Sequence, residues 1–172
     1  RDSYYTQQIC ASLSQLSSYL DWKVIDQVIQ LIHDSDNVAF FGTQFSHSVA
    51  LHFQTDLLML EKFTMAYMEQ TNQLQCAKEL DENSVAIILT VSGHIFNGNQ
   101  KMISYIKKSN AKVVIITNDQ DFDFGFEPDY VIGIGNPKYK RTGKHNLLTT
   151  MELMALRYYS IYYPDVKDNI IE

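Results

Sequence analysis

The chain has 172 residues, 45% of them hydrophobic, with 14 basic against 20 acidic residues and a net charge of −6. That length and apolar content suit one globular domain with a core of its own, and the acidic balance argues against a surface that grips nucleic acid directly. Two cysteines, Cys10 and Cys76, share no CxxC or Cys/His spacing, so neither a zinc site nor a disulfide framework is indicated and a reducing, cytoplasmic setting is expected.

No apolar run approaches the ~18–20 residues that span a bilayer, and the polar opening RDSYYTQQIC does not resemble a secretory leader. The first element follows from Ile9, Leu13, Leu16 and Leu20, whose steps of four, three and four mark one face of a helix. Asp21 then offers a carboxylate cap to a second helix, WKVIDQVIQLIHDS, apolar over much of its circumference and so expected to be well buried. These two helices occupy about residues 4–35.

VAFFG, residues 38–42, has the composition of a short buried parallel strand closed by glycine. A polar link, TQFSHS, leads into a long helical pattern through VALHFQTDLLMLEKF. A brief extended piece is expected at 64–69, a short helix around 71–80 and a turn at 81–84. VAIILTV, residues 85–91, is the clearest strand. A helix is expected from about Asn97 to Ser109, with Met102, Ile103 and Ile106 on one side. The apolar strand KVVIITN follows, then the acidic loop DQDFDFGFEPD, the strand YVIGIG at 130–135, and a helix over 146–163 stopped by Pro164.

Strands and helices alternate, and the strands are apolar on both faces. That pattern predicts an α/β fold, a three-layer αβα sandwich around a parallel sheet of about five strands. No linker, repeat or low-complexity segment divides the chain, which reads as a single domain over 1–172 with its sheet core at 38–135.

Ligands of such sheets bind beyond the carboxyl ends of the strands. The first loop there, GTQFSHS, has Gly42 for a tight exit and Ser46 as a candidate helix N-cap. The second, TVSGH, has Thr90 and Ser92 two apart, so on an extended backbone their hydroxyls share a face. Gly93 lets the backbone turn there, and the helix that follows presents free N–H groups, so hydroxyls and amides together suit a phosphate. The third loop has five carboxylates, but calcium-loop spacing fails: Gly125 falls at position seven and Tyr130 at position twelve. No metal and no cofactor is expected, since Gly-x-Ser-x-Gly, Walker-type, HExxH and dinucleotide fingerprints are all absent. Of five histidines, His47 and His94 lie in the two candidate loops and His145 near the last helix, while His33 and His52 lie within helical patterns.

Together, FFGTQFSHSVA, LTVSGHIFNG and VVIITN resemble the sugar isomerase (SIS) domain, a phosphosugar-binding module, over about residues 38–135. The flanking helices make the chain look most like the effector domain of RpiR-type bacterial transcription regulators. That resemblance implies a non-catalytic domain that senses a phosphosugar, is dimeric or of higher order, and acts on DNA through a separate N-terminal helix-turn-helix domain. A start at Arg1 without Met fits a fragment lacking that domain. The implied ligand-binding residues are Gly42, Gln44, Ser46, His47, Thr90, Ser92, Gly93 and His94, with Ile95 and His145 as possible additions. Thr90 keeps the hydroxyl of the family's first serine, whereas Gln44, Phe45 and Ile95 stand where glycine, serine and threonine are usual. Two alternatives stay open: a ligand-free dimerisation scaffold, or an aldose–ketose isomerase using His145, Glu152 or His47 as base.

Overall fold

The computed structural model describes residues 2–139 and 141–164; Arg1, Lys140 and residues 165–172 lie outside the described residues. The first helix, α1 (Asp2–Tyr19), buries only Leu16 within its length, and Leu20 just beyond it; the Ile9–Leu13 half of the predicted stripe is only partly covered. In α2 (Trp22–Asp34), the Asp21 carboxylate accepts from the backbone N–H of Lys23 at 3.0 Å and of Val24 at 3.3 Å, as its sequence position predicts.

The remaining elements run β1 (Asn37–Phe41), α3 (Phe45–Met59), β2 (Met65–Ala66), α4 (Gln70–Glu79), β3 (Ser84–Thr90), α5 (His94–Gly98), α6 (Gln100–Lys108), β4 (Lys112–Thr117), β5 (Tyr130–Gly133) and α7 (Gly143–Tyr162). Five strands form one parallel sheet in the order β2-β1-β3-β4-β5. Alternation along each strand sends side chains to two separate clusters. Val38, Phe40, Val85, Ile87, Leu89, Val114 and Ile116 meet α2, α3 and α7 on one face. Ala39, Phe41, Ala86, Ile88, Val113 and Ile115 meet α4, α5 and α6 on the other. Burial on both faces is why these strands read as unbroken apolar runs.

Three expectations are corrected. The third helix starts at Phe45, four residues before the predicted apolar run, because the chain turns sharply at Gln44. The helix expected from Asn97 is two: α5 begins directly after Gly93, and α6 restarts beyond the non-helical Asn99. The last helix begins at Gly143 and not 146, since Gly143 presses against Val91, where a Cβ would come 2.5 Å from Val91 Cγ1. Both cysteines are free, Cys10 exposed and Cys76 buried. No helix among the described residues is long and apolar enough to cross a membrane.

Candidate functional site

The strand order fixes where a ligand would sit. From β1 the chain passes through α3 to β2 on one side, and from β3 it passes through α5 and α6 to β4 on the other. The connections therefore diverge between β1 and β3, and the crevice of such a sheet lies at the carboxyl ends of those two strands. The two loops singled out in the sequence, Gly42–His47 and Thr90–His94, leave these adjacent strands at the same end.

The first loop is tightly held. A Cβ at Gly42 would lie 3.0 Å from both His47 N and Ser46 C, so only glycine lets the first turn of α3 approach the strand end. Gln44 takes φ 51°, ψ −122°, a backbone conformation that favours glycine, at the position where the resembled family has glycine. Ser46 is buried in the first turn of α3 and does not cap it; Gln44 is the N-cap and makes no side-chain cap bond.

Gln73, on α4, is the residue that sequence reasoning missed. Its side chain is 4% exposed. Gly42 N–H donates to Gln73 Oε1 at 3.2 Å, and Gln73 Nε2 donates to the Gly42 carbonyl at 3.0 Å. One amide thus satisfies both polar groups of a buried backbone unit, as a strand neighbour would. The same Nε2 faces His47 Nδ1 at 3.4 Å. Because the amide NH2 donates, Nδ1 accepts, and the imidazole proton lies on Nε2. His47 is 6% exposed, and its Nε2 has no hydrogen-bond partner among the described residues. Burial lowers the His47 pKa below the ordinary histidine value, so the ring is held neutral.

Gly42, Gln44, His47 and Gln73 line one cleft of about 440 Å³, together with Thr43, Ser48, Met68, Gln70, Asn99 and Met102. None of these side chains is charged at neutral pH. The cleft is a set of amides, hydroxyls and one neutral imidazole, suited to hydrogen-bonding an uncharged polar surface.

The second loop is built differently from the extended backbone, with two hydroxyls on one face, that the sequence suggested. The strand ends at Thr90, which is buried, and its Oγ1 accepts from Gly93 N at 2.9 Å. The Thr90 hydroxyl therefore shapes the turn. Gly93 has φ 79° and packs under the Phe122 ring, with a Cβ there only 2.7 Å from two ring carbons. Ser92 is half-buried and His94 exposed. Ile95 is buried in the apolar cluster beneath α5. Thr90, Ser92, Gly93 and His94 are not among the residues that line the 440 Å³ cleft. His145 is exposed on α7. Glu152, the other candidate base, is bound to His52 Nε2, with Asp56 Oδ2 3.6 Å from the same nitrogen. This surface cluster ties α3 to α7, and burial raises the Asp56 pKa.

No protein-family model and no curated protein matches the chain. Solved structures do. The Vibrio vulnificus NanR protein complexed with ManNAc-6P superposes with a TM-score of 0.80 at 14% identity, over 96% of this chain. The chain has the fold of the sugar isomerase domain. It spans 64% of the NanR chain. A phosphoheptose isomerase from Francisella tularensis aligns with a TM-score of 0.74 at 14% identity, over 91% of this chain and 95% of that one. The sugar isomerase domain of the RpiR transcription factor from Sphaerobacter thermophilus gives 0.63 at 14% identity, over 91% and 94%. Regulators and isomerases thus share this SIS fold, and the fold alone does not choose between them.

Proposed function

We propose that the chain is the effector-sensing domain of a regulator of carbohydrate metabolism. It binds a phosphosugar or related sugar derivative at the carboxyl ends of β1 and β3, and so modulates DNA binding by a separate domain. The observation that carries this reading is His47: a buried, neutral imidazole whose Nε2–H faces no acceptor, on the wall of an uncharged cleft. A buried donor left unpaired costs ~1–3 kcal/mol, which a ligand oxygen would recover. Sugar hydroxyls supply such oxygens, and Gln44 and Ser48 offer further partners in the cleft; Ser46 and Ser92, on the two flanking loops and outside the cleft lining, are the candidate hydroxyls for the phosphate.

The same tautomer supports a non-catalytic role. Ketose–aldose isomerisation needs a base that takes a proton from carbon. His47 carries its proton on Nε2 and accepts from Gln73 on Nδ1, so neither nitrogen is a free base. A domain of this kind switches a regulator by binding one arrangement of its dimer better than another, since half-site spacing on DNA follows dimer geometry.

Calorimetry of the chain against ManNAc-6P and a panel of hexose and pentose phosphates tests the proposal. Binding is expected for at least one member, weakened about tenfold by Ser92→Ala or His47→Phe, a loss of ~1.4 kcal/mol each. Absence of binding by every member to folded protein would overturn the ligand reading. Ketose–aldose turnover abolished by Glu152→Ala would replace it with the isomerase.

A further inference from the structure

A second cleft is larger than the one just described. It has a volume of about 580 Å³ and lies between α1 and the segment that leads from β5 to α7. Tyr4, Tyr5, Tyr19 and Tyr139 form much of its wall, and Lys138 and Arg141 stand on the β5–α7 side. Among the described residues no Asp or Glu lines it, although the chain as a whole carries 20 acidic against 14 basic residues. No carboxylate pairs with Lys138 or Arg141 among the described residues. Arg141 is nonetheless positioned: its Nη1 donates to Tyr5 Oη at 3.3 Å, and its guanidinium carbon lies 6.0 Å from the Tyr5 ring centre. That contact engages one of five N–H donors and leaves the others free for a ligand.

We propose that this cleft is a second ligand site, selective for a small ring-bearing organic anion, and separate from the β1–β3 cleft. The volume is in the range of small-molecule sites. Unpaired Arg and Lys charges against a carboxylate-free wall attract a phosphate or carboxylate, and Arg supplies its planar fork of donors. Tyrosine faces bury a ring while their hydroxyls, with the Gln8 amide, meet its polar substituents. The other cleft has no cation on its wall among the described residues, so the two are chemically distinct. The shared ligand chemistry is an anionic group on a saturated ring, which a sugar phosphate and a sugar acid both offer.

The test is calorimetry with glucose 6-phosphate, glucuronate, glucose and inorganic phosphate on four proteins: the parent chain, Arg141→Ala, Tyr5→Leu and His47→Phe. The first two substituted positions are exposed, so the folded state should survive, and circular dichroism checks it. Glucose 6-phosphate or glucuronate is expected to bind, distinguishing a phosphate from a carboxylate source, and to outbind glucose and inorganic phosphate by at least tenfold. Arg141→Ala and Tyr5→Leu are each expected to weaken binding fivefold or more, and His47→Phe to leave it unchanged. Binding lost in His47→Phe but kept in Arg141→Ala would place the ligand in the β1–β3 cleft and refute the second site. So would failure of all four probes at millimolar concentration with folded protein, a result that leaves the phosphosugar panel of the first cleft standing.

Discussion

Gln73→Leu isolates the contact on which the candidate site depends. In the folded chain the Gln73 amide is the partner of the buried Gly42 N–H and C=O, at 3.2 and 3.0 Å. Leucine matches the volume roughly and removes both partners, leaving two buried backbone groups unsatisfied. At ~1–3 kcal/mol each, less about 1 kcal/mol for the more apolar side chain, the expected loss is about 1–5 kcal/mol. With a urea dependence near 2 kcal/mol per molar, the unfolding midpoint should fall by about 0.5–2.5 M. Circular dichroism and the emission of Trp22, the single tryptophan, report the same transition from two positions. Gln73→Glu sharpens the test. It keeps an acceptor for Gly42 N–H but sets a carboxylate against the Gly42 carbonyl, so it should be at least as damaging at pH 7 and should recover in acid as the carboxyl gains a proton. A loss below about 1 kcal/mol in Gln73→Leu would refute the reasoning, because it would mean that water or a neighbour replaces the amide without penalty.

Three other outcomes follow from the same loops. Gly93→Ala should cost about 2–3 kcal/mol, from a φ of 79° and a Cβ only 2.7 Å from the Phe122 ring; adding Phe122→Ala should remove the steric part of that loss in a double-mutant cycle, and equal losses in both backgrounds would exclude the collision. Gln44→Gly should raise thermal stability by about 2–4 °C, since glycine relieves the backbone at φ 51°, ψ −122° while giving back part of the gain as unfolded-chain entropy; an unchanged or lower midpoint would show that the conformation is unstrained. His47 has a folded pKa below its unfolded value of about 6.5, so the unfolded state binds the extra proton. Its contribution is complete above pH 6.5 and is lost as the pH falls below that value through the folded pKa. His47→Phe should flatten this part of the stability profile, measured by urea unfolding between pH 7.5 and 5, and an identical slope in both proteins would assign the dependence to other groups.

The layer architecture was legible because parallel strands buried on both faces leave no polar alternation: VAFF, VAIIL and VVII could be little else. The crossover order around β1 and β3 was not legible, as any of several orders satisfies the same apolar runs. Helix starts were misread where a special backbone intervened. Ser46 is a good cap residue by type, but the turn at Gln44 brings the helix forward and leaves Ser46 inside it. Thr90 and Ser92 were rightly placed at a strand end, yet the strand stops at Thr90, so their hydroxyls no longer share a face. Gln73 left no signal at all. It sits in the polar sequence QTNQLQCAKE, and nothing local marks it as the amide that reaches Gly42, 31 positions away. Only the tertiary placement of α1 sets Lys138 and Arg141 opposite tyrosines.

Two features of the first cleft bear on whether the fold has been kept merely as a dimerisation scaffold. Gln44 holds a backbone conformation that costs of order 1–3 kcal/mol for a residue with a side chain. Three residues on, His47 buries an N–H with no acceptor, a cost of similar size. Neither is needed to bury the apolar clusters on the two faces of the sheet, which close without contribution from either side chain. A domain selected only for stability or for pairing would be relieved of both by single substitutions, glycine at 44 and an apolar residue at 47. That both costs persist, side by side on the wall of one cleft, favours a site that recovers them when a ligand oxygen meets the imidazole, and it is on this ground that the scaffold reading is the weaker one.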